Sequence, residues 1–218
     1  EKYELSKTAK TPAAAHLFKT NENGEKLNED MVSDFHTHSA KGSFFCKRGR
    51  LDMQTAMAFL TVRVKEPDQD DWKKSLRKMA CSKGTKDMVL TLEADDLKLV
   101  RWCIDASFAV HDDMHGHTGG VMTLGKGGVH NKSSNQKING KSSTEIEITG
   151  VDDVMPQALW TNCFMKAQGW SHNTKIHQDD NSAILLENNG RLSSSNRTKH
   201  MKVRHHFIKD AIDRGKAT

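Results

Sequence analysis

The stretch from Arg101 to Asp179 places three carboxylates at the ends of separate predicted secondary-structure elements. Asp105 ends an apolar run that is typical of a buried strand, and Glu147 lies near the start of a long amphipathic segment. Asp179 stands where a short predicted strand is followed by a helix. Carboxylates that converge from separate elements are suited to holding divalent cations against a phosphodiester. The stretch therefore predicts a two-metal hydrolytic site.

Helix phase distinguishes the two glutamates of the long amphipathic segment. The Ser142-Ser143-Thr144 run is predicted to offer the cap of a helix that lasts to about Gly169. Apolar residues follow Glu147 on one helix face, at Val151, Val154 and Ala158. Glu145 shares another face with Thr149 and Asp152, which we expect to be solvated. The phase therefore selects Glu147 as the inward carboxylate.

The composition allows one large domain, or a domain of about 120–150 residues with an appended piece. Apolar residues make up 35% of the 218 positions and mean hydropathy is −0.71, so we expect a packed but small core. The net charge of +5 favours a polyanionic partner such as nucleic acid. An ordinary basic protein with no such partner has the same charge balance.

The four cysteines form no CxxC pair and stand mostly in apolar segments, which indicates buried free thiols in a reducing compartment. No apolar run approaches the roughly 20 residues that span a bilayer. The first residues lack a signal-peptide pattern. We therefore expect a cytoplasmic or nuclear protein that has no membrane partner.

The chain is predicted to have three parts. Residues 1–29 are polar and are interpreted as an extended leader. Residues 30–86 have helical periodicity and are interpreted as a helical module. Residues 87–218 carry the three acids and form the predicted α/β domain.

Capping residues mark two helices of the helical module. Asp52 is predicted to cap a helix from Met53 to Val64. The acidic residues that begin at Asp68 are predicted to open the next helix, because carboxylates suit the first turn, and Gly84 ends it.

The domain that carries the acids is predicted to begin with strands. Residues 88–92 and 97–104 are interpreted as a hairpin whose turn contains Asp95 and Asp96, and not a polymerase acid pair. Glycine-rich residues 118–125 and residues 129–132 continue the sheet as a meander. A crossover helix, a further strand and two helices follow. This order predicts an α/β fold with a mixed sheet flanked by helices.

Ordered motifs extend over most of the chain: Cys46–Ala56 with Trp72 and Gly84-Thr85, Asp105 with Val110–Gly120, Ser142–Glu147, Gln178–Ala183 and Arg197–His200. Together they resemble the C-terminal part of copia-like retrotransposon polyproteins. That part contains the end of the reverse transcriptase and the RNase H domain behind it. Leu51 replaces the family's proline in the first motif.

The resemblance implies an RNase H-like fold and metal-dependent endonucleolytic cleavage of the RNA strand in RNA–DNA hybrids. It matches Asp105, Glu147 and Asp179 with the family's first three catalytic acids. These acids would hold two Mg²⁺ or Mn²⁺ ions, with Asp105 bridging both ions.

Two residues next to these acids depart from the family's pattern. Ile146 stands where the family has alanine, and Asp180 stands where it has asparagine. The Asp180 carboxylate is close enough in sequence either to repel Asp179 or to add a metal ligand.

The fourth acid of the family comes from a later strand and helix, which we expect to be absent because the sequence ends at Thr218. Asp210 and Asp213 are candidate substitutes. His200, ten residues before Asp210, is a candidate loop histidine that assists product release, and a phosphate or surface contact is the alternative role. A missing fourth carboxylate would weaken the enzyme and favour Mn²⁺ over Mg²⁺.

The expected partners are an RNA–DNA hybrid and a reverse transcriptase. Candidate phosphate contacts are basic: Lys132, Lys137, Lys141, Arg197, Lys199 and Arg204. Trp102, Trp160 and Trp170 are interpreted as packing residues. A metal site at His111, His115 and His117 is a weaker interpretation because the three lie in a loop. Two other functions remain open, a non-catalytic nucleic-acid-binding remnant and a structural subunit of a polymerase.

Overall fold

The computed structural model describes residues 7–189 and 202–218. The chain divides into two compact units, Glu1–Leu90 and Thr91–Thr218. Within the described residues the first unit is helical, and the second combines strands and helices.

The first unit packs three α-helices around a common core: α1 (Glu29–Cys46), α2 (Gln54–Val62) and α3 (Gln69–Gly84). Short 3₁₀ turns precede and follow α2, at Leu51–Met53 and Arg63–Lys65. The largest side chains that are fully buried here are apolar: Phe35, Met53, Met57 and Leu60.

The two predicted helix starts in this unit have different outcomes. Asp68 caps α3 through bonds from the Asp70 and Asp71 amides, and Asp71 reciprocates at the Asp68 amide, which confirms the predicted start. The prediction that Asp52 caps α2 is wrong. The Asp52 carboxylate instead forms an ion pair with Arg50 at 2.7 Å, and a 3₁₀ turn leads into the helix.

The second unit contains six described strands: β1 (Glu93–Ala94), β2 (Leu99–Ser107), β3 (His117–Thr123), β4 (Gly125–Lys126), β5 (Gly128–Asn135) and β6 (Asn173–His177). In the described residues, the main sheet has the order β5-β3-β2-β6. The β5–β3 and β3–β2 pairs are antiparallel, and β6 pairs with β2 in parallel. The predicted meander followed by a crossover is confirmed.

Three helices complete the unit: α4 (Ser143–Ala167), α5 (Asn181–Asn189) and α6 (Lys202–Asp213). The helix α4 packs on β2 and β3, and α5 and α6 pack on it and on each other. Alternate residues of β2 enter the core beneath α4, namely Val100, Trp102 and Ile104. The predicted α/β fold, a mixed sheet flanked by helices, is confirmed.

The predicted hairpin before β2 is wrong. Residues 88–92 form no strand, and Met88, Val89 and Leu92 are exposed. The short strand β1 pairs with β4, which lies far along the chain, and Asp95 forms an ion pair with Arg101 at 2.7 Å. Among the described residues, the apolar segment 88–92 therefore pairs with no strand.

Cysteine burial follows the strand and helix faces. Cys46 and Cys81 are buried free thiols, as predicted. Cys103 and Cys163 are free but exposed, which contradicts the expectation of buried thiols. Cys103 alternates with Trp102 and Ile104 along β2 and therefore faces away from the core.

Besides pairing with β2, the strand β6 forms backbone hydrogen bonds with Thr218. The Thr218 amide donates to the Thr174 carbonyl at 2.9 Å, and the Ile176 amide donates to the Thr218 carbonyl at 2.8 Å.

Among the described helices, none is long and apolar enough to cross a bilayer.

Candidate metal centre

Asp105 is held near the end of β2, where strand pairing fixes its backbone. It pairs with Gly119 of β3 in antiparallel register. Its side chain is exposed, although the neighbouring Ile104 is in the core. The strand therefore places the solvent-accessible Asp105 carboxylate next to buried core residues.

Glu147 projects from the first turns of α4. Ser142 caps this helix by accepting a bond from the Glu145 amide, as predicted. One turn beyond Glu147, Gly150 lies against β2, where an added Cβ would meet the Ala106 Cβ at 3.1 Å. This close approach brings the Glu147 carboxylate to the strand, and the Ala106 amide donates to its Oε1 at 3.3 Å.

Asp179 lies in the short connection between β6 and α5, one residue after Gln178. The next residue, Asp180, accepts bonds from the Ser182 and Ala183 amides and from the Thr144 hydroxyl. Asp180 therefore caps α5 and links its start to the start of α4. Burial alone would raise the pKa of Asp180, but these hydrogen bonds hold it below its ordinary value.

The three predicted acids converge. Ligand oxygens of Asp105, Glu147 and Asp179 all lie within 4.8 Å of one another, and they are the single such group among the described residues. Asp105 and Asp179 are exposed, and Glu147 is buried. A set of carboxylate oxygens fits hard cations such as Mg²⁺ and Mn²⁺, which prefer oxygen ligands.

The nearby carboxylates and the burial of Glu147 both change the pKa of that residue. Burial, followed by the nearby Asp105 carboxylate, raises the pKa of Glu147 to about 7. The Gln178 amide and the Ala106 amide oppose that rise only in part. The Gln178 Nε2 group lies 3.5 Å from the Glu147 Oε2 atom, and the Gln178 Oε1 atom is buried without a hydrogen-bond partner in the described residues.

The proposed substitutes for a fourth acid lie elsewhere. Asp210 accepts a bond from Arg214 at 2.8 Å, and Asp213 pairs with Lys209 at 2.6 Å, both on the exposed side of α6. The structure does not bring either of them into the group of three acids. His200 lies outside the described residues.

The loop histidines do not form a three-ligand group among the described residues. The His111 Nε2 and His117 Nδ1 atoms are 3.0 Å apart, and the His117 Nε2 atom is 2.7 Å from the Ser133 hydroxyl. His115 instead pairs with Asp113 at 2.7 Å. Burial lowers the pKa of His117 to about 4.

The candidate phosphate contacts differ in availability. Lys132 donates to the Asp153 carbonyl, and Arg204 is paired with Asp152 at 2.9 Å. Lys137 and Lys141 are exposed in the segment between β5 and α4. Arg197 and Lys199 lie outside the described residues.

The tryptophans differ in burial, as the interpretation of core or rim packing allows. Trp102 is fully buried, whereas Trp160 is 58% and Trp170 48% exposed, and Trp160 stacks on Phe164. Thr149 was expected to be solvated but is buried, and Asp152, which shares its face, accepts a bond from Arg204 of α6.

Sequence reasoning missed one acid, Glu187 of α5, which is 7% exposed. Its position four residues after Ala183, on the face of α5 that enters the core, is a helical signal that was present in the sequence.

Comparisons with known proteins support the resemblance to retroelement polyproteins. The chain is 25% identical over 216 residues to the retrovirus-related Pol polyprotein from transposon TNT 1-94 of Nicotiana tabacum. It is 27% identical over 169 residues to that from transposon RE2 of Arabidopsis thaliana. These matches cover 95% and 76% of the chain but only 16% and 12% of the two polyproteins. The predicted resemblance to the C-terminal part of a retrotransposon polyprotein is confirmed.

Other comparisons are less specific. No protein-family model matches the chain. A solved structure of LC11-RNase H1, isolated from compost by a metagenomic approach, is similar at a TM-score of 0.40 and 11% identity, over 56% of this chain and 81% of that protein.

Proposed function

We propose that this chain is a ribonuclease H, a metal-dependent endonuclease that cleaves the RNA strand of RNA–DNA hybrids. The observation that carries the proposal is the convergence of Asp105, Glu147 and Asp179 within 4.8 Å. The similarity to retrovirus-related Pol polyproteins supports the same assignment.

The three acids would hold two Mg²⁺ or Mn²⁺ ions. Bound there, such ions lower the pKa of an attacking water and stabilise the leaving oxygen of a phosphodiester. The chain's own groups orient the carboxylates: the Ala106 amide and the Gln178 side chain contact Glu147. Because Asp105 and Asp179 are exposed, a phosphodiester can approach them from solvent.

Hybrid binding would use basic side chains that are exposed to solvent. The exposed Lys137 and Lys141 are the best placed of the described candidates for phosphate contacts. Reading of 2′-hydroxyls in the minor groove would distinguish RNA from DNA. The polyprotein similarity supports association with a reverse transcriptase. The free thiols support a reducing compartment, the cytoplasm or the nucleus.

The test is cleavage of an end-labelled RNA–DNA hybrid with Mg²⁺ and with Mn²⁺. We expect hybrid-specific cutting that is lost in Asp105→Asn. Asp95→Asn is the matched control, because Asp95 is an exposed aspartate of the same unit that pairs with Arg101. Its activity is expected to equal that of the unaltered protein.

The competing function is a non-catalytic nucleic-acid-binding remnant. It predicts salt-dependent hybrid binding with no cutting by the unaltered protein under either metal. That result would refute the nuclease proposal.

A further inference from the structure

The helices α1 and α3 of the first unit border a cleft whose lining is basic and apolar. Its basic residues include Lys41 of α1 and Lys78 of α3, and its large apolar residues are Phe45 and Met79. None of the described residues that line the cleft is acidic. Two lysine side chains therefore share a cleft in which no carboxylate balances them.

Lys78 is a buried lysine whose amine lies against α1. Only 7% of Lys78 is exposed, and a Cβ added at Gly42 would lie 2.9 Å from the Lys78 Nζ atom. The lack of a side chain at Gly42 leaves the space that this amine takes up. Because Gly42 itself lines the cleft, the amine lies at the cleft wall.

This amine lacks the compensation that a buried charge normally has. Within the described part of the chain, Lys78 has no hydrogen-bond or ion-pair partner. Lys74, one turn earlier in α3, is also buried, but its amine pairs with Asp70 at 2.8 Å and donates to the Lys19 carbonyl. A buried ammonium group without such partners is costly, so the position of Lys78 calls for an anion.

The chain supplies no such anion near the Lys78 amine. Burial lowers the pKa of Lys78, and the Cys46 thiol is the titratable group that opposes this change. Cys46 is itself fully buried, and burial raises the pKa of its thiol to about 11, so the thiol is neutral near pH 7. An anion bound in the cleft would favour the charged form of the amine.

The lining residues favour a phosphate that is joined to a flat apolar group. Lysine binds phosphate as a point charge, whereas the planar fork of arginine pairs with carboxylates, and no arginine is among the described residues of the cleft. Phe45 is 46% exposed, so part of its ring is available to a planar ligand. Nucleobases stack on exposed aromatic rings of this kind.

We propose that the cleft between α1 and α3 binds a nucleotide, with its phosphate at Lys78 and Lys41 and its base against Phe45. The nucleotide is either free or part of a single-stranded nucleic acid, because both present the same groups. The cleft lies in the first unit and uses none of the three converging acids, so its test is independent of the nuclease proposal.

The first test measures binding of AMP to the full chain by calorimetry, in a chelator. Lys78→Met keeps an unbranched side chain and removes the charge, and we expect a loss of affinity of about 10- to 100-fold, as for a hydrogen bond to a charged group. Lys73→Met is the matched control, since Lys73 is an exposed lysine of α3 that does not line this cleft. Its affinity is expected to be unchanged.

The second test concerns the base. Phe45→Leu keeps an apolar side chain and removes the ring, and we expect AMP to bind at least fivefold more weakly. Phe44→Leu is the control, because Phe44 is exposed but does not line the cleft. Inorganic phosphate should bind more weakly than AMP and should be insensitive to Phe45→Leu.

A third measurement needs no variant and separates ligand binding from a structural role of Lys78. In the unaltered protein, AMP should slow the acetylation of Lys78 but not that of Lys73, as read by mass spectrometry. Lys78→Met is expected to melt no lower than the unaltered protein, because it removes a buried charge that has no partner.

Three results would overturn the proposal: equal AMP affinity in Lys78→Met and the unaltered protein, equal acetylation of Lys78 with and without AMP, or equal affinity for AMP and inorganic phosphate. Titration with a short oligodeoxyadenylate distinguishes the two sources of the nucleotide. Counting only the binding that Lys78→Met removes, tighter binding of the oligonucleotide than of AMP supports a single strand as the ligand, and the reverse supports a free nucleotide.

Discussion

Replacing Glu147 with glutamine is expected to stabilise the metal-free protein while it abolishes metal binding. Burial and the Asp105 carboxylate raise the pKa of Glu147 from 4.5 to about 7. The folded state therefore binds a proton more tightly at this site than the unfolded state does. The contribution of Glu147 to stability is complete below about pH 4.5 and is lost as the pH rises through 7.

The size of this effect follows from the difference between the two pKa values. Above pH 7, the charged Glu147 carboxylate costs about 3 kcal/mol of unfolding free energy relative to an ordinary glutamate. Glutamine carries no charge, so it avoids this cost and still offers an oxygen to the Ala106 amide. The advantage of Glu147→Gln should be small at pH 5 and nearly full at pH 8.

The assay is urea unfolding in a chelator at pH 5 and pH 8. Amide hydrogen exchange in β2, which contains the fully buried Val100 and Trp102, assigns the transition to the second unit. Glu93→Gln is the control, since its carboxylate is exposed. The control is expected to follow the unaltered protein at both pH values.

Two results would refute this reasoning. The burial argument is wrong if Glu147→Gln is less stable than the unaltered protein at pH 8 without metal. The metal assignment is wrong if Mn²⁺ raises the melting temperature of Glu147→Gln as much as that of the unaltered protein, because a ligand stabilises only the state that binds it.

Three further predictions concern the same unit. Mn²⁺ affinity should rise about tenfold per pH unit below pH 7, because Glu147 must lose its proton before it can bind the ion. Calorimetry in buffers of different ionisation enthalpy would detect the released proton. Gly120→Ala should lower the unfolding free energy by about 1–3 kcal/mol, since its Cβ would lie 2.9 Å from Val154, whereas Gly119→Ala meets only an ordinary contact. Asp180→Ala should cost about 1 kcal/mol in urea unfolding through loss of the α5 cap, and asparagine at this position should retain most of it.

The positions of the three acids could be predicted because each depends on local pattern. Apolar alternation ends at Asp105, and helix phase selects Glu147 because its face continues through Val151 and Val154, which are fully buried. The predicted helix from Asn181 to Asn189 agrees with α5, so the place of Asp179 before it was also set locally.

The contacts of individual polar side chains could not be predicted in the same way. Asp180 was expected to repel Asp179 or to bind metal, but it caps α5 and accepts a bond from Thr144, which is 36 positions earlier. Thr149 is buried, and the neighbouring Asp152 on its face is paired with Arg204, which is 52 positions later. Neither outcome follows from the residues next to these positions.

The sequence by itself determined the start of α3 at Asp68, the start of α4 in the Ser142–Thr144 run, and the three acids that approach one another. These features depend on interactions over a few residues, which the order of side chains records directly. Only the tertiary structure decided that β1 pairs with β4 and that Glu187 is buried. Strand pairing and burial depend on which surfaces meet in the folded chain, and that requires contacts between residues far apart in sequence.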